Sequence, residues 1–226
     1  MRRFPNLYIL IASTQSPPND GQESFTSCEV RLNTLVNKDD LTTLINHGIA
    51  TKPGLRELNE QLKQDIRTTL VSQANGSFGW VHLSLENLAI QNTPKQVRRA
   101  LQELPPTLED RYADLLANVS HGNRLPVRQA LLWLAFAKRP LRLEELNEAV
   151  IVQDDQSAID EEDRLCHPGL ITEICRGLID HHAGFVTLAH SSVARFLMTP
   201  DILSSKAAYF ALRPDEGDRA LMHMCL

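Results

Sequence analysis

Residues 127–153 read VRQALLWLAFAKRPLRLEELNEAVIVQ, residues 167–197 read HPGLITEICRGLIDHHAGFVTLAHSSVARFL, and these two stretches decide the fold. The first stretch begins with a pattern that is apolar on nearly every side, which is typical of a buried helix. Pro140 ends this helix because proline cannot continue the helical hydrogen-bond ladder. A short extended piece, Leu141–Leu143, and a second helix from Glu144 to Val152 follow.

The second stretch predicts a third helix and a β-hairpin. The helix follows Pro168 and turns four apolar residues inward, namely Leu170, Ile171, Ile174 and Leu178. Two strands, Ile179–His182 and Phe185–Ala189, then flank Ala183-Gly184, a pair that suits a tight hairpin turn. The order of helix, short strand, helix, helix and hairpin is that of a winged helix, which we therefore expect here.

Composition is that of an ordinary globular protein, and it argues against several functions. The 226 residues are 42% hydrophobic and fit one large or two small domains. The net charge of -5 disfavours nucleic-acid binding, which needs clustered lysine and arginine. No apolar run approaches the roughly 20 residues of a membrane span. The four cysteines form no C-x-x-C pair, so we expect a reducing, cytoplasmic interior.

The residues that precede the winged helix predict one strand and a run of helices. Leu7–Ala12 is a continuous apolar run, typical of a strand buried on both faces of a parallel sheet. A first helix opens at Asp39-Asp40 and is expected to end at Gly48. Apolar spacing from Leu55 to Leu70 predicts one long helix, and Asn75-Gly76 stops it.

Three more helices complete this part of the chain. The first is an amphipathic helix over residues 80–89. The second starts at Thr93-Pro94, a capping residue followed by proline at the first helical position. Thr107 caps the third, with Asp110 in the position where a capping box usually has glutamate or glutamine. Within the winged helix, the acidic segment Gln153–Arg164 is expected to be a surface excursion.

The chain resembles the distal part of fungal NACHT proteins in four ordered segments. These read NGSFGWVHLSLENL from residue 75, LQELPPTLEDRYADLL from residue 101, LLWLAFAKRPLRLEELNEAV from residue 131 and LAHSSVARFL from residue 188. NACHT proteins are signal-transducing NTPases that are often followed by ankyrin repeats. Their winged helix is also catalogued as the GPI inositol-deacylase winged helix. The resemblance covers nearly the whole chain, and four motifs with matching spacing make it specific.

The resemblance implies a mainly α fold, in which a residual strand and a helical domain are followed by a winged helix with a small β-hairpin. Residues 1–30 would be a remnant of the NACHT nucleotide-binding domain, comprising its last strand and loop. Residues 31–122 would form the helical domain and residues 123–200 the winged helix domain. Residues 201–226 would be outgoing helices that lead towards a missing C-terminal repeat region, with one helix-like segment to Leu212 and another over Asp218–Leu226.

The function that the resemblance implies is regulatory. The chain would be a non-catalytic module that couples the nucleotide state of its parent to downstream repeats by interdomain packing. It contains neither G-x-x-x-x-G-K-[ST] nor G-x-S-x-G, so we expect no phosphate loop, no lipase nucleophile and no enzyme activity. Where the family usually has Ser-Arg after the strand, with the arginine sensing phosphate, Ser13 is followed by Thr14.

Cofactors and partners follow from the same resemblance. We expect no cofactor for this chain, and ATP or ADP only in a complete parent protein. The expected partner is a nucleotide-binding domain, in the same chain or in trans, together with ankyrin or other repeats. Nucleic acid and membrane are not expected as partners.

By this resemblance, His190 is the candidate site residue. In the wider NACHT class, a histidine of a similar motif touches the β-phosphate of the nucleotide, and a neutral imidazole can donate one N–H to a phosphate oxygen. His190 would therefore help to hold an ADP-bound closed state in a complete parent. The alternative is a core histidine that bonds to backbone. Phe78 stands where related proteins can place a proline near the adenine, and we expect it to pack rather than to contact a base.

Other functions also have to be weighed. A winged helix can bind DNA through its third helix, but here that helix offers Arg176 against Glu173 and Asp180. An active NTPase could form if the upstream phosphate-loop half were supplied. The cysteines and histidines between Cys166 and His190 suggest zinc only weakly, because they lack the close pairs with fixed spacing that zinc sites favour, and we expect no metal.

Overall fold

A computed structural model of the chain describes residues 38–151, 162, 164–214 and 217, all within one compact unit that spans residues 33–226. The predicted strand Leu7–Ala12 lies outside the described residues. So do the predicted helix Asp218–Leu226 and most of the segment Gln153–Arg164.

The mainly α fold class is confirmed. Six helices occupy the described chain before the predicted winged helix: α1 Lys38–Thr51, α2 Pro53–Arg56, α3 Glu60–Gln73, α4 Phe78–Ala89, α5 Pro94–Gln102 and α6 Leu108–Ala117. The remaining elements follow in the order of a winged helix: a 3-10 turn His121–Asn123, α7 Arg124–Phe136, β1 Leu141–Arg142, α8 Leu143–Ala149, α9 Leu170–Ile174, β2 Ile179–His182, β3 Phe185–Leu188 and α10 Ser191–Met198.

The small sheet has three antiparallel strands in the order β1-β3-β2. Strands β2 and β3 form the predicted hairpin, in which Ile179 lies opposite Leu188 and His182 opposite Phe185. Ala183 and Gly184 both have positive φ, 52° and 82°, as the two central residues of a type I′ turn require. The extended piece that follows Pro140 becomes β1 and pairs with β3. The winged helix prediction is therefore confirmed.

Helix boundaries follow the predicted caps. The Thr93 hydroxyl accepts the backbone N–H of Gln96 at 3.2 Å and starts α5. The Thr107 hydroxyl accepts the N–H of Asp110 at 3.0 Å and starts α6. The Asp110 carboxylate contacts the Thr107 hydroxyl at 2.6 Å. Asn75, two residues after the end of α3, has a φ of 45°. The Thr93 and Thr107 side chains therefore fix where α5 and α6 begin, and the Asn75 backbone marks where α3 has stopped.

Several predictions of helix extent were wrong. The helix expected to carry Leu178 on its inner face ends at Ile174, and the helix expected to reach Val152 ends at Ala149. The single long helix over residues 55–70 is broken into α2 and α3, because the Asn59 side chain caps α3 by accepting the N–H of Leu62 at 2.9 Å. Gly48 lies inside α1 rather than at its end, and the helix continues to Thr51. The helix-like segment towards Leu212 consists of two 3-10 turns, Pro200–Ser204 and Ala208–Phe210.

The buried apolar residues form two clusters. The helical cluster runs from Leu41 to Leu101 and is built from α1 to α5. The winged cluster runs from Leu83 to Leu212 and is built mainly from α6 to α10 and the sheet. Leu108 at the start of α6 packs against both. The α6 residues Tyr112 and Leu116, which precede the predicted domain boundary at residue 122, pack in the winged cluster. The boundary itself stays a prediction.

The two clusters meet where α4 passes the turn after α9. Gly177 in that turn has a φ of 83°, and a Cβ atom added there would lie 2.7 Å from the Leu83 side chain. Both the backbone conformation and the close approach to α4 favour glycine at this position. None of the helices in the described ranges is both long and apolar enough to cross a lipid bilayer.

Candidate functional site

His190, the residue singled out from the sequence, lies between the hairpin and α10 and is the N-cap of that helix. Its backbone is extended, with φ −157° and ψ 152°. Its ring atom Nδ1 accepts the backbone N–H of Ser192 at 3.1 Å. The side chain is exposed, and its bond to Ser192 is the backbone hydrogen bond that the alternative interpretation expected.

A buried pair of hydroxyl groups stands behind this imidazole. The Ser192 hydroxyl lies 2.7 Å from His190 Nδ1, and the Tyr112 hydroxyl lies 2.9 Å from the Ser192 hydroxyl. Tyr112 and Ser192 are each only 2% exposed. Tyr112 comes from α6, whereas Ser192 and His190 belong to α10 and its cap. The chain of contacts therefore joins residues that are 80 positions apart in the sequence.

Burial keeps Tyr112 a hydrogen-bond donor. Burial raises the pKa of the Tyr112 phenol, while its hydrogen bond with Ser192 acts in the opposite direction with smaller weight. The ring also packs against Phe196 of α10, with the ring centroids 5.8 Å apart. Because the phenol stays protonated at neutral pH, its O–H is available to Ser192.

Sequence reasoning found His190 but missed the two residues behind it. Ser192, two residues after His190, is the residue whose hydroxyl contacts the ring. The N-cap position of His190 was the available signal, because a cap side chain bonds two or three residues onward. No sequence signal pointed to Tyr112, whose partner lies on another helix.

Phe78, the other residue considered near a nucleotide, stands at the start of α4. Ser77 caps this helix by accepting the N–H of Trp80 at 3.2 Å. The Phe78 side chain is 41% exposed, so it is not enclosed as the packing interpretation expected. Trp80, two residues on, is instead the buried anchor, and its indole N–H donates to the Pro105 carbonyl at 2.8 Å.

A cavity of about 390 Å³ lies between α4 and the segment that joins α9 to β2. His82 and Glu86 of α4 line one side, and Arg176, Asp180 and His181 line the other. Glu86 is paired with Lys52. The helix that would read DNA in a winged helix, α9, is five residues long, and Arg176 lies after its end, where Arg176 lines the same cavity as the carboxylates of Glu86 and Asp180.

The cysteines and histidines considered for zinc are not gathered into one site. Within the residues that the structure describes, no group of three or more potential ligands could hold a metal ion. Cys175 is buried and Cys166 exposed, and both are free thiols. Burial raises the pKa of the Cys175 thiol to about 12, so it behaves as an apolar core side chain.

The three helices, the small sheet and the hairpin define a winged helix protein, and a comparison with known families agrees. Residues 113–213 match the family model described as GPI inositol-deacylase, winged helix domain. Over these residues the chain is therefore similar to that family, in agreement with the resemblance to fungal NACHT proteins.

Two curated fungal proteins are similar over most of the chain. The vegetative incompatibility protein HET-E-1 of Podospora anserina is 28% identical over 209 residues, which are 88% of this chain and 15% of that protein. Azaphilone pigments biosynthesis cluster protein L of Monascus ruber is 24% identical over 230 residues, or 92% of this chain and 49% of that protein. The chain thus spans less than half of either relative. No solved structure matches it.

Proposed function

We propose that this chain is a non-catalytic regulatory module of a NACHT-type signalling protein. In a complete parent it packs against the nucleotide-binding domain, in the same chain or in trans, and passes the nucleotide state to downstream ankyrin or other repeats as a rigid-body rotation. His190 contacts the β-phosphate of ADP and favours the closed state. The proposed location is the cytoplasm.

The observation that supports this proposal is the exposed Nε2 side of the His190 ring at the start of α10. Its Nδ1 is used within the protein, whereas Nε2 has no hydrogen-bond partner in the described part of the chain and belongs to an exposed side chain. An N–H at Nε2 can donate to a phosphate oxygen, and the N-terminus of α10 adds a partial positive charge beside it. This arrangement suits an anion better than a cation or an apolar partner.

A pair of variants separates the cap from the phosphate contact. In a full-length protein that carries this module downstream of a phosphate-loop domain, His190→Asn keeps a preferred N-cap side chain but removes the imidazole. A hydrogen bond to a charged group contributes about 1.5–3 kcal/mol, so we expect ADP to dissociate roughly 10- to 150-fold faster. The measurement is the release rate of a fluorescent ADP analogue from the purified protein.

The controls decide what the release rate means. His47→Ala changes an exposed histidine on α1 and should leave ADP release unchanged. His190→Ala should accelerate release as His190→Asn does and also lower stability by about 1 kcal/mol, because the cap is lost. ADP release that is equally slow in the wild type and in both His190 variants would contradict the proposed contact.

The absence of enzyme activity is tested on the chain itself. Without a phosphate loop in the sequence, the purified chain should turn over no ATP above the buffer rate. Turnover that persists through successive purification steps and is lost in the His190→Asn variant would instead support an NTPase site completed by this chain.

DNA binding is the alternative from another functional class, and the surface does not favour it. Arg176 lines the same cavity as Asp180 and as Glu86 of α4. Filter binding at two salt concentrations tests it, because phosphate contacts weaken steeply with salt. We expect no retention of duplex DNA at either concentration.

A further inference from the structure

We infer that Tyr112 and Ser192 are positioning residues that hold the His190 imidazole in one tautomer and one orientation, with its Nε2–H directed away from the protein. The inference deepens the proposed function, because an Nε2–H fixed in this way is the donor that a phosphate would meet. Neither residue touches a ligand in this scheme, since both act through the ring of His190.

The direction of each hydrogen bond follows by elimination. Nδ1 accepts the backbone N–H of Ser192, so Nδ1 carries no proton of its own. The Ser192 hydroxyl, 2.7 Å from the same nitrogen, must then donate to it rather than accept from it. Once the Ser192 proton is used, the contact of 2.9 Å to Tyr112 has to be donated by the phenol. The neutral ring therefore carries its proton on Nε2.

Burial stabilises these hydrogen-bond directions. Tyr112 and Ser192 are each 2% exposed, so water does not compete for their hydroxyl groups. Hydrogen bonds in a chain polarise one another, and the phenol strengthens the bond that Ser192 gives to His190. Tyr112 is in turn held by its ring contact with Phe196, whose helix α10 begins directly after His190. The imidazole is thus fixed from α6 as well as from its own helix.

The test reads the nitrogen atoms of His190 directly. In the purified chain with 15N-labelled histidine, two-dimensional NMR should show Nδ1 as an unprotonated nitrogen and Nε2 as a protonated one. Tyr112→Phe removes one oxygen that does not touch His190 and keeps the ring that packs on Phe196. We expect it nevertheless to shift the Nδ1 resonance, and we expect Ser192→Ala to shift it further.

Tyr209→Phe is the matched control, because Tyr209 is 48% exposed and forms no hydrogen bond with Tyr112, Ser192 or His190. It should leave both nitrogen resonances unchanged. Unfolding midpoints show that each variant is folded before its spectrum is compared. The inference is overturned if Tyr112→Phe leaves Nδ1 where it stands in the wild type, or if Nδ1 carries the proton in the folded wild type.

A second measurement separates this inference from the proposed function. In the full-length protein described above, Tyr112→Phe should speed ADP release by roughly fivefold, the effect of one net hydrogen bond, and by less than His190→Asn. If the NMR shifts occur while His190→Asn leaves ADP release unchanged, the positioning role stands and the phosphate contact fails.

Discussion

The helical cluster and the winged cluster both contain helices with a preferred N-cap residue, Thr107 of α6 being one in the winged cluster, but α10 of the winged cluster begins at a histidine. In the helical cluster, α3, α4 and α5 begin at Asn59, Ser77 and Thr93, and each side chain accepts a backbone N–H. In the winged cluster, α10 begins at His190, whose ring does the same work. Asparagine, serine and threonine are preferred N-caps, whereas histidine is not among them.

This difference teaches where to look for function. Natural sequences follow local preferences closely except at positions where another requirement applies. In the helical cluster, α3, α4 and α5 follow these preferences, whereas α2 begins after Lys52, which makes no side-chain cap bond. The winged cluster departs from them at His190 and also places a buried tyrosine and serine behind that residue. A less preferred cap, with a polar support that apolar packing does not need, agrees with the phosphate contact proposed for His190.

The largest effects are expected from truncations in the two clusters, and they test whether the clusters fold together. Leu70 of α3 and Leu131 of α7 are both fully buried, one in each cluster. Leu70→Ala and Leu131→Ala should each destabilise the protein by about 2–5 kcal/mol. Because both clusters belong to one compact unit, either variant should move a single unfolding transition.

The two tryptophans make this measurable. Trp80 belongs to the helical cluster and Trp133 packs against the winged cluster. In a Trp133→Phe background the remaining Trp80 reports on the helical cluster, and in a Trp80→Phe background Trp133 reports on the winged cluster. Urea unfolding followed by fluorescence should give coincident transitions in both backgrounds. Two separate transitions, each moved by only one leucine variant, would show that the clusters unfold independently.

The sequence predicted the winged helix well because its signals are local. Pro140 and the Ala183-Gly184 turn each act within a few residues and are found where they were expected, as is the Thr93 cap in the helical cluster. The predicted strand Phe185–Ala189 of the hairpin is one residue longer than β3, which ends at Leu188. The break at Asn59 was missed because the apolar spacing continues across it, although the chain leaves the helix there.

What the sequence could not provide are contacts between distant residues. The Tyr112–Ser192 bond spans 80 positions, and no pattern in either segment announces it. The same holds for Gly54, which stands inside the short helix α2 where glycine is a poor helix former. Only the fold shows that a Cβ atom there would lie 2.1 Å from the Ala89 carbonyl oxygen of α4.

That close approach gives the next largest prediction. Gly54→Ala should destabilise the protein by about 1–3 kcal/mol, because the backbone of α4 cannot yield as a flexible side chain could. Gly122→Ala is the control, since a Cβ atom there meets nothing within 4 Å. It should be neutral or slightly stabilising through the unfolded chain. Urea midpoints of the two variants provide the comparison, and equal midpoints would mean that α2 and α4 are not so tightly packed.

The smallest effects concern an exposed charge at the start of a helix in each region, and they depend on pH. In the winged region, the Glu145 carboxylate accepts two hydrogen bonds of 2.8 Å from the Arg139 guanidinium and one of 2.8 Å from the backbone N–H of Arg142. First the Arg139 side chain and then the Arg142 backbone lower the pKa of Glu145 from 4.5 to about 2. In the helical region, a hydrogen bond from Lys63 lowers the pKa of Glu60.

Because the folded pKa of Glu145 lies below its unfolded value, its stabilisation is complete above pH 4.5 and is lost as the pH falls towards 2. Glu145→Gln should therefore lower the melting temperature at pH 7, and the difference from wild type should shrink between pH 4.5 and pH 2. Glu60→Gln should show a smaller difference of the same sign, because Glu60 accepts a hydrogen bond from one lysine, whereas Glu145 accepts two from an arginine and one from the backbone. Both differences should diminish in high salt, because the pairs are exposed. A Glu145→Gln difference that stays constant from pH 7 to pH 2 would mean that the carboxylate contributes through packing rather than through its charge.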